Sequence, residues 1–345
     1  RGLGDVYKRQ PHGREVLFLI DGFGANALVD FPELIPNILS GKNFGQLQSN
    51  FPSTTATSLT SLMTGKMPNQ HGMVGYTMRI PNSDNRILHP LKWDERVDPT
   101  IWQPNETFFE IGARHGINVT HVAAKRYEGT GFTRASFRGA HYRGANIYPD
   151  LVAETVAALS KTPALVYLYV NDLDVAGHTQ GYGSDRWIEA LRMIDNLVEQ
   201  LRNQLPIGTR LWITADHGML NVGEKIVIGR DNLLATELLL IAGEPRARHL
   251  YLKRPELADE VANLWRSELG DRVSVYTRDG AVSSDLFGSP VNPLFMERIG
   301  DIVAVVNDDS ILVNPEREKL ESAMKGHHGA MSNIETEIPL YQIYS

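Results

Sequence analysis

No cysteine occurs among the 345 residues, which excludes disulfides and thiolate ligands and leaves carboxylate and imidazole as the side chains able to hold a transition metal. Also missing is any apolar run approaching the roughly 20 residues that cross a bilayer, and no basic-then-apolar leader of secretory type opens the chain. Positive charge is not in excess: Lys and Arg number 34 against 41 Asp and Glu, a formal charge of −7. Backbone binding to a nucleic-acid polymer needs clustered cations, so no such partner is expected. A small anionic substrate stays compatible with this charge, because bound metal ions reverse the local field. The first ten residues, RGLGDVYKRQ, carry no periodic pattern and read as a non-native leader. The expectation is a globular protein with no membrane span, cytoplasmic unless a native start, and a signal with it, has been lost.

What is present is an alternation of strand and helix patterns over the first two thirds of the chain, the mark of a sheet with helices on both faces. Apolar runs without polar interruption, VLFLI at 16–20, ALVYLYV at 164–170 and LWITA at 211–215, read as strands buried on both sides. A strand is also expected at Asn118–Ala123, after a helix over Glu106–Arg114 and a turn at Gly116. Asp150 is placed to cap a helix carrying Val152, Val156 and Leu159. Trp187, Leu191, Ile194, Val198 and Leu201 share one stripe of a helix over Asp185–Leu205, with Ser184 as N-cap and Pro206 after its end. Beyond Gly218 the rhythm changes, with a second amphipathic helix through Leu257, Val261 and Trp265 between the short strand-like pieces VSVY and DIVAVV. Residues 11–345 are therefore read as one catalytic domain interrupted by an α+β cap over about 222–324.

Each of the three apolar runs ends in metal-seeking residues: Asp21; Asp174 with His178; Asp216 with His217. In open α/β sheets, chemistry gathers beyond the carboxyl ends of the strands, which predicts that the three carboxylates meet on one rim. Asp216 and His217 are consecutive and would point oppositely on a regular strand, so both serve one site only if the backbone leaves the strand there, as Gly218 permits. His328 in GHHG adds a third imidazole, with His327 competing for the same role. Three carboxylates and three imidazoles suffice for two metal ions. The hydroxyl-rich segment FPSTTATSLTSLMTG at 51–65 is ordinary turn or capping material unless it opens a helix beside such a centre. There, a hydroxyl acidified by a Lewis acid becomes a nucleophile, and helix N–H groups are offered to an oxyanion. The remaining histidines, His12, His89, His115, His121, His141 and His249, read as surface or hydrogen-bonded core residues, and His71 as loop packing or as a residue that supports the metal ligands without touching the metal.

Asp21 after the first strand, FPSTTATSLTSLMTG, DLDVAGH, ADHG and a late HG after an insertion occur in the order that marks the alkaline phosphatase superfamily, and the chain resembles its type I phosphodiesterase/nucleotide pyrophosphatase family over nearly all of 14–340. The resemblance implies an α/β fold with a mixed, mostly parallel sheet sandwiched by helices. It places the nucleophile at Thr55, with Thr54 the nearest competitor. It also implies two divalent cations, usually zinc with manganese or iron compatible: one held by Asp174, His178 and His328, the other by Asp21, Thr55, Asp216 and His217. Tyr76 stands where many members carry a phosphoryl-binding asparagine, and Arg79 reads equally as the missing positive group or as a solvated strand residue. Tyr182, Trp93, Tyr76 and Phe23 read equally as contacts to the substrate's organic part and as ordinary packing.

The resulting expectation is hydrolysis of a phosphodiester or nucleotide pyrophosphate bond through a covalent threonine intermediate, on a small, nucleotide-like substrate. A phosphomonoesterase or phosphonate hydrolase on the same centre is the enzymatic rival. A binding protein that kept the scaffold without catalysis is the rival from another class.

Overall fold

The computed structural model describes residues 13–229 and 232–345. The leader reading of residues 1–10, and His12, lie outside the described residues.

Seven strands form the central sheet: β1 (Arg14–Ile20), β2 (Lys42–Gln48), β3 (Asn118–Ala123), β4 (His141–Gly144), β5 (Ala164–Val170), β6 (Arg210–Thr214) and the last strand of the chain, β11 (Glu337–Tyr344). Their order is β2-β11-β6-β1-β5-β3-β4. The pairs from β6 to β4 are parallel, whereas β11 runs antiparallel to both β6 and β2. β1 shows why its sequence lacks polar alternation: Val16, Phe18 and Ile20 face one core cluster while Leu19 faces another.

Six helices fix the geometry that matters here: α1 (Thr55–Thr64), α2 (Phe108–Arg114), α3 (Tyr148–Ala158), α4 (Asp172–Gln180), α5 (Asp185–Gln204) and α6 (Ala258–Leu269). The Ser184 side chain accepts the Trp187 N–H at the start of α5, and the apolar stripe of α5 is buried in the cluster on one face of the sheet. α1, through Ala56, Leu59 and Met63, packs on the other face and stops at Gly65, whose φ of 63° is the left-handed conformation that ends helices. α2 begins two residues later than expected because Thr107 caps it: its hydroxyl accepts the Glu110 N–H while the Glu110 carboxylate accepts the Thr107 N–H. α3 starts before Asp150, which lies in the first turn rather than at the cap position; Pro149 occupies the turn where its missing N–H costs nothing.

Between 222 and 324 the chain builds a four-stranded antiparallel sheet from β7 (Leu238–Glu244), β8 (Ala247–Leu252), β9 (Val273–Thr277) and β10 (Ile302–Val306), ordered β7-β8-β10-β9. α6 covers it with Val261 and Trp265. Departure and return lie side by side, since Leu220–Asn221 pairs antiparallel with Gly326–His327. The β7–β8 turn reaches the main body at two places. Gly243 exchanges hydrogen bonds with Thr77, and Arg246 forms a bidentate, fully buried ion pair with Glu335 at 2.6 and 2.8 Å.

Candidate active site

Three adjacent strands, β6, β1 and β5, end at the same rim, and the residues just beyond them are Asp216, Asp21 and the start of α4. β6 ends at Thr214, so the backbone has left the strand before Asp216 and His217, and both side chains reach one side. α4 places Asp174 and His178 one turn apart on one face, His178 Nε2 lying 3.3 Å from Asp174 Oδ1. His328 arrives with the chain returning from the four-stranded sheet, its Nε2 3.2 Å from that of His178 and 3.7 Å from Asp174 Oδ1.

The proton positions on the three imidazoles follow from their partners. His178 Nδ1 meets the Gly326 carbonyl at 2.8 Å, His217 Nδ1 the Gly218 carbonyl at 2.9 Å, and His328 Nδ1 the Ser53 carbonyl at 2.7 Å. A carbonyl oxygen only accepts, so each Nδ1 carries a proton, and in the neutral ring each Nε2 presents a lone pair. All three lone pairs face the rim, where the carboxylates also keep one unpartnered oxygen each: Asp21 Oδ1, Asp174 Oδ1 and Asp216 Oδ2. The second oxygens of Asp21 and Asp216 are occupied. Tyr169 donates its hydroxyl proton to Asp21 Oδ2, and the Gly22 and His217 N–H groups donate to Asp216 Oδ1 at 3.2 and 3.0 Å.

Six buried or half-buried acceptors facing one another cannot satisfy themselves by hydrogen bonding; a divalent cation satisfies them at once. Ligand atoms of Asp174, His178 and His328 lie within 4.8 Å of one another, as do those of Asp21, Asp174 and His217. Asp216 adjoins the second group, with Oδ2 3.5 Å from His217 Nε2. Without a cation, burial drives the Asp21 carboxyl well above its ordinary range, aided by the charges of Asp216 and Asp174; burial likewise raises Asp216 and holds His328 far below the usual imidazole value. The donor set therefore fits metal ions, with the Nδ1–carbonyl bonds as orienting contacts.

Thr55 is the first residue of α1, and its Oγ1 lies 3.2 Å from His217 Nε2. Because that nitrogen accepts, the hydroxyl donates to it. No side chain caps α1. Thr54, one residue earlier, is buried and extended. Thr55 stands at the junction of two cavities. One, of about 210 Å³, is lined by Thr54, Tyr76, Asp174, His178, Glu244 and His328. The other, of about 190 Å³, is lined by Leu59, His121, Arg126, Tyr127, Phe137 and Tyr169.

The other expected contacts divide. Tyr76 lines the first cavity, but its hydroxyl meets His89 Nε2 at 2.7 Å, and its backbone N–H donates to Glu244 Oε2 at 2.8 Å. Arg79 is not brought to either cavity: its guanidinium lies over the Tyr251 ring, 5.0 Å from the centroid. Tyr182 is not brought there either, because its hydroxyl donates to Asp30 at 2.7 Å and its ring packs on Trp187. Phe23 is core, and Trp93 donates its indole N–H to the Val97 carbonyl. His327 does not share the role of His328, since its Nε2 is turned to the Glu321 carbonyl at 2.9 Å.

Sequence reasoning missed His121, Arg126, Tyr169 and Glu244. His121 is core as expected, yet neither ring nitrogen has a hydrogen-bond partner; burial pushes its pKa down to about 3. Arg126 Nη2 is held at 2.9 Å by Asn171 Oδ1 and by the Tyr127 hydroxyl. Glu244 Oε1 is buried without a partner, and burial pushes the carboxyl up to about 8.

The family model described as type I phosphodiesterase / nucleotide pyrophosphatase matches residues 16–331, and the chain belongs to that family. Ectonucleotide pyrophosphatase/phosphodiesterase family member 1 from Mus musculus is 27% identical over 230 residues, covering 59% of this chain and 24% of that protein. Ectonucleotide pyrophosphatase/phosphodiesterase 1 from Saccharomyces cerevisiae is 25% identical over 246 residues, covering 61% of this chain and 32% of that protein. The matched stretches thus span about a quarter to a third of these relatives. The solved structure of murine ectonucleotide pyrophosphatase/phosphodiesterase 5 superposes with a TM-score of 0.75 at 19% identity, covering 95% of this chain and 87% of that one. An inactive form of that murine protein has been solved in complex with AMP. The shared fold is the α/β arrangement described above.

Proposed function

We propose that the chain is a metal-dependent hydrolase of phosphodiester or nucleotide pyrophosphate bonds in which Thr55 is the nucleophile. The observation that carries this reading is the convergence of three Nε2 lone pairs and three unpartnered carboxylate oxygens, with the Thr55 hydroxyl 3.2 Å from one of those nitrogens. Asp174, His178 and His328 would hold one divalent cation and Asp21, Asp216 and His217 the other, zinc suiting the mixed oxygen and nitrogen donors. When bound, the cations supply Lewis acidity, lowering the pKa of a nearby hydroxyl and neutralising charge on the phosphoryl group.

Thr55 Oγ1 attacks phosphorus in line, its proton passing to solvent, and forms a threonine phosphoester that keeps the substrate's organic group, while the bond to the leaving oxygen breaks and that oxygen departs, taking a proton from water where its basicity requires one. Water then attacks phosphorus from the vacated side, the threonine oxygen leaves, and two inversions give net retention. The uncapped start of α1 offers backbone N–H groups to the phosphoryl oxygens.

The cavity behind Thr55 supports a substrate with a planar organic group. Its walls include Leu59, Phe132, Phe137 and Tyr127, apolar and aromatic surface suited to a planar ring. Arg126 at the same cavity favours a substrate carrying a second anionic group, as a nucleotide pyrophosphate does. The AMP complex of the murine structural neighbour agrees with a nucleotide-like ligand.

Thr55→Ala tests the reading. Hydrolysis of a chromogenic phosphodiester is expected to fall by roughly 10⁴-fold or more while bound metal is retained. Unchanged turnover would move the nucleophile elsewhere, with Thr54 next to be replaced.

A further inference from the structure

Tyr167 and Tyr169 are alternate residues of β5, so they share one face of the sheet; their rings lie 6.3 Å apart and 18° from parallel. Both are buried, and their hydroxyls have opposite fates. That of Tyr167 has no hydrogen-bond partner, whereas that of Tyr169 donates to Asp21 Oδ2.

A free carboxylate offers two equivalent oxygens, and rotation about its last torsion exchanges them. At Asp21 they are made inequivalent by a single neighbour. With Oδ2 held by the phenol, Oδ1 is left without a partner, 3.4 Å from His217 Nε2 and within the cluster of Asp21, Asp174 and His217. The phenol O–H is the donor in this pair and the carboxylate oxygen the acceptor. The Asp21 main chain is anchored separately, its N–H donating to the Val170 carbonyl at 3.0 Å, so the side chain is the only part left to orient.

We propose that Tyr169 is the positioning residue for Asp21: its hydroxyl takes Oδ2 out of play and reserves Oδ1 for a metal ion. This rests on the reading of the cluster as a metal centre. The ring of Tyr169 also walls the cavity behind Thr55, where Tyr127 packs edge-on against it at 5.9 Å. One side chain thus joins the wall that faces the substrate's organic group to the carboxylate that faces the metal.

The test uses metal-free wild type, Tyr169→Phe and Tyr167→Phe, each titrated with zinc against a chromophoric chelator, with thermal midpoints recorded before metal is added. Tyr169→Phe keeps the ring and loses only the hydroxyl. It is expected to bind one equivalent of zinc about 10- to 100-fold more weakly, the other equivalent as in wild type. Tyr167→Phe, which loses an unpartnered hydroxyl, is expected to match wild type. Wild-type affinity for both equivalents in Tyr169→Phe overturns the proposal, as does an equal loss in Tyr167→Phe. A general loosening of β5 is separated by combining Tyr169→Phe with Asp21→Asn. An effect that passes through Asp21 adds nothing on that background, while a structural one adds its full penalty and contradicts the proposal. Failure of the wild type to take up zinc instead refutes the metal reading itself, and the role of Tyr169 with it.

Discussion

The Nε2 atoms of His178 and His328 stand 3.2 Å apart although each ring has committed its proton to a backbone carbonyl. Two lone pairs facing each other at that distance repel, and Asp174 Oδ1, 3.3 and 3.7 Å from them, adds a third acceptor. The fold holds the arrangement in place from three directions: α4 carries Asp174 and His178, the 326–328 strand return carries His328, and Ser53 just before α1 fixes the His328 ring.

Asp174 belongs to both groups of converging ligand atoms, and His328 to one. Asp174→Asn is therefore expected to lose the metal held with His178 and His328 and to bind the other more weakly, and His328→Ala to lose only the first, as read by elemental analysis of purified protein. Full occupancy in Asp174→Asn would contradict its shared position.

Arg126 is the cation at the cavity behind Thr55. Replacing it with Ala is expected to raise KM for a nucleotide pyrophosphate about tenfold, the scale of one lost charged hydrogen bond. A nitrophenyl diester without a second anionic group should be hydrolysed almost as before. Equal losses on both substrates would place Arg126 in folding rather than in recognition.

Arg246 and Glu335 form a bidentate ion pair with no exposed surface, and Glu335 also accepts the Ala330 N–H and the Ser332 hydroxyl. The pair ties the β7–β8 turn to the short helix Asn333–Thr336 that follows His328. Arg246→Met leaves the carboxylate buried without its cation, an expected loss of about 3–5 kcal/mol in urea unfolding. A change within about 0.5 kcal/mol would show that the turn is held by other contacts.

Burial depresses His121 and His71 to about 3 and His249 to about 4, against an ordinary value of 6.5. Between those limits the unfolded chain binds more protons than the folded one, so stability rises with pH across that window and is lost as pH falls from 6.5 toward 3. The raised carboxyls of Asp21, Asp216 and Glu244 act in the opposite sense but are outnumbered by the depressed imidazoles, His89, His327 and His328 included, so the metal-free protein should show a lower urea midpoint at about pH 4.5 than at about pH 7. His121→Phe should narrow that gap, since one imidazole no longer has to be protonated on unfolding. A gap of the same width in the variant would remove His121 from the acid transition.

The rim was legible because strands buried on both faces leave uninterrupted apolar runs, and VLFLI, ALVYLYV and LWITA each point at a carboxylate. That these three strands are neighbours, in the order β6-β1-β5, is a long-range matter that no local pattern carries. β2 and β11 were missed for a related reason. β2 (KNFGQLQ) is exposed along its whole length at the sheet edge, and β11 (EIPLYQIY) has Pro339 at an irregularity in its pairing with β2. Tyr182 and Arg79 show the limit of residue type as a guide: a phenol and a guanidinium suit a substrate, yet Asp30 and the Tyr251 ring engage them locally. Tyr169 was invisible for the opposite reason, since a tyrosine inside ALVYLYV reads as core, and only the register of β5 against β1 brings its hydroxyl to Asp21.

Crystals of the zinc-loaded protein, measured at the zinc absorption edge, test the central claim most directly. Two anomalous peaks are expected, one contacted by Asp174, His178 and His328 and the other by Asp21, Asp216 and His217, with Thr55 Oγ1 facing the second. A map with no peak at these residues, or with zinc bound only elsewhere on the molecule, would contradict it.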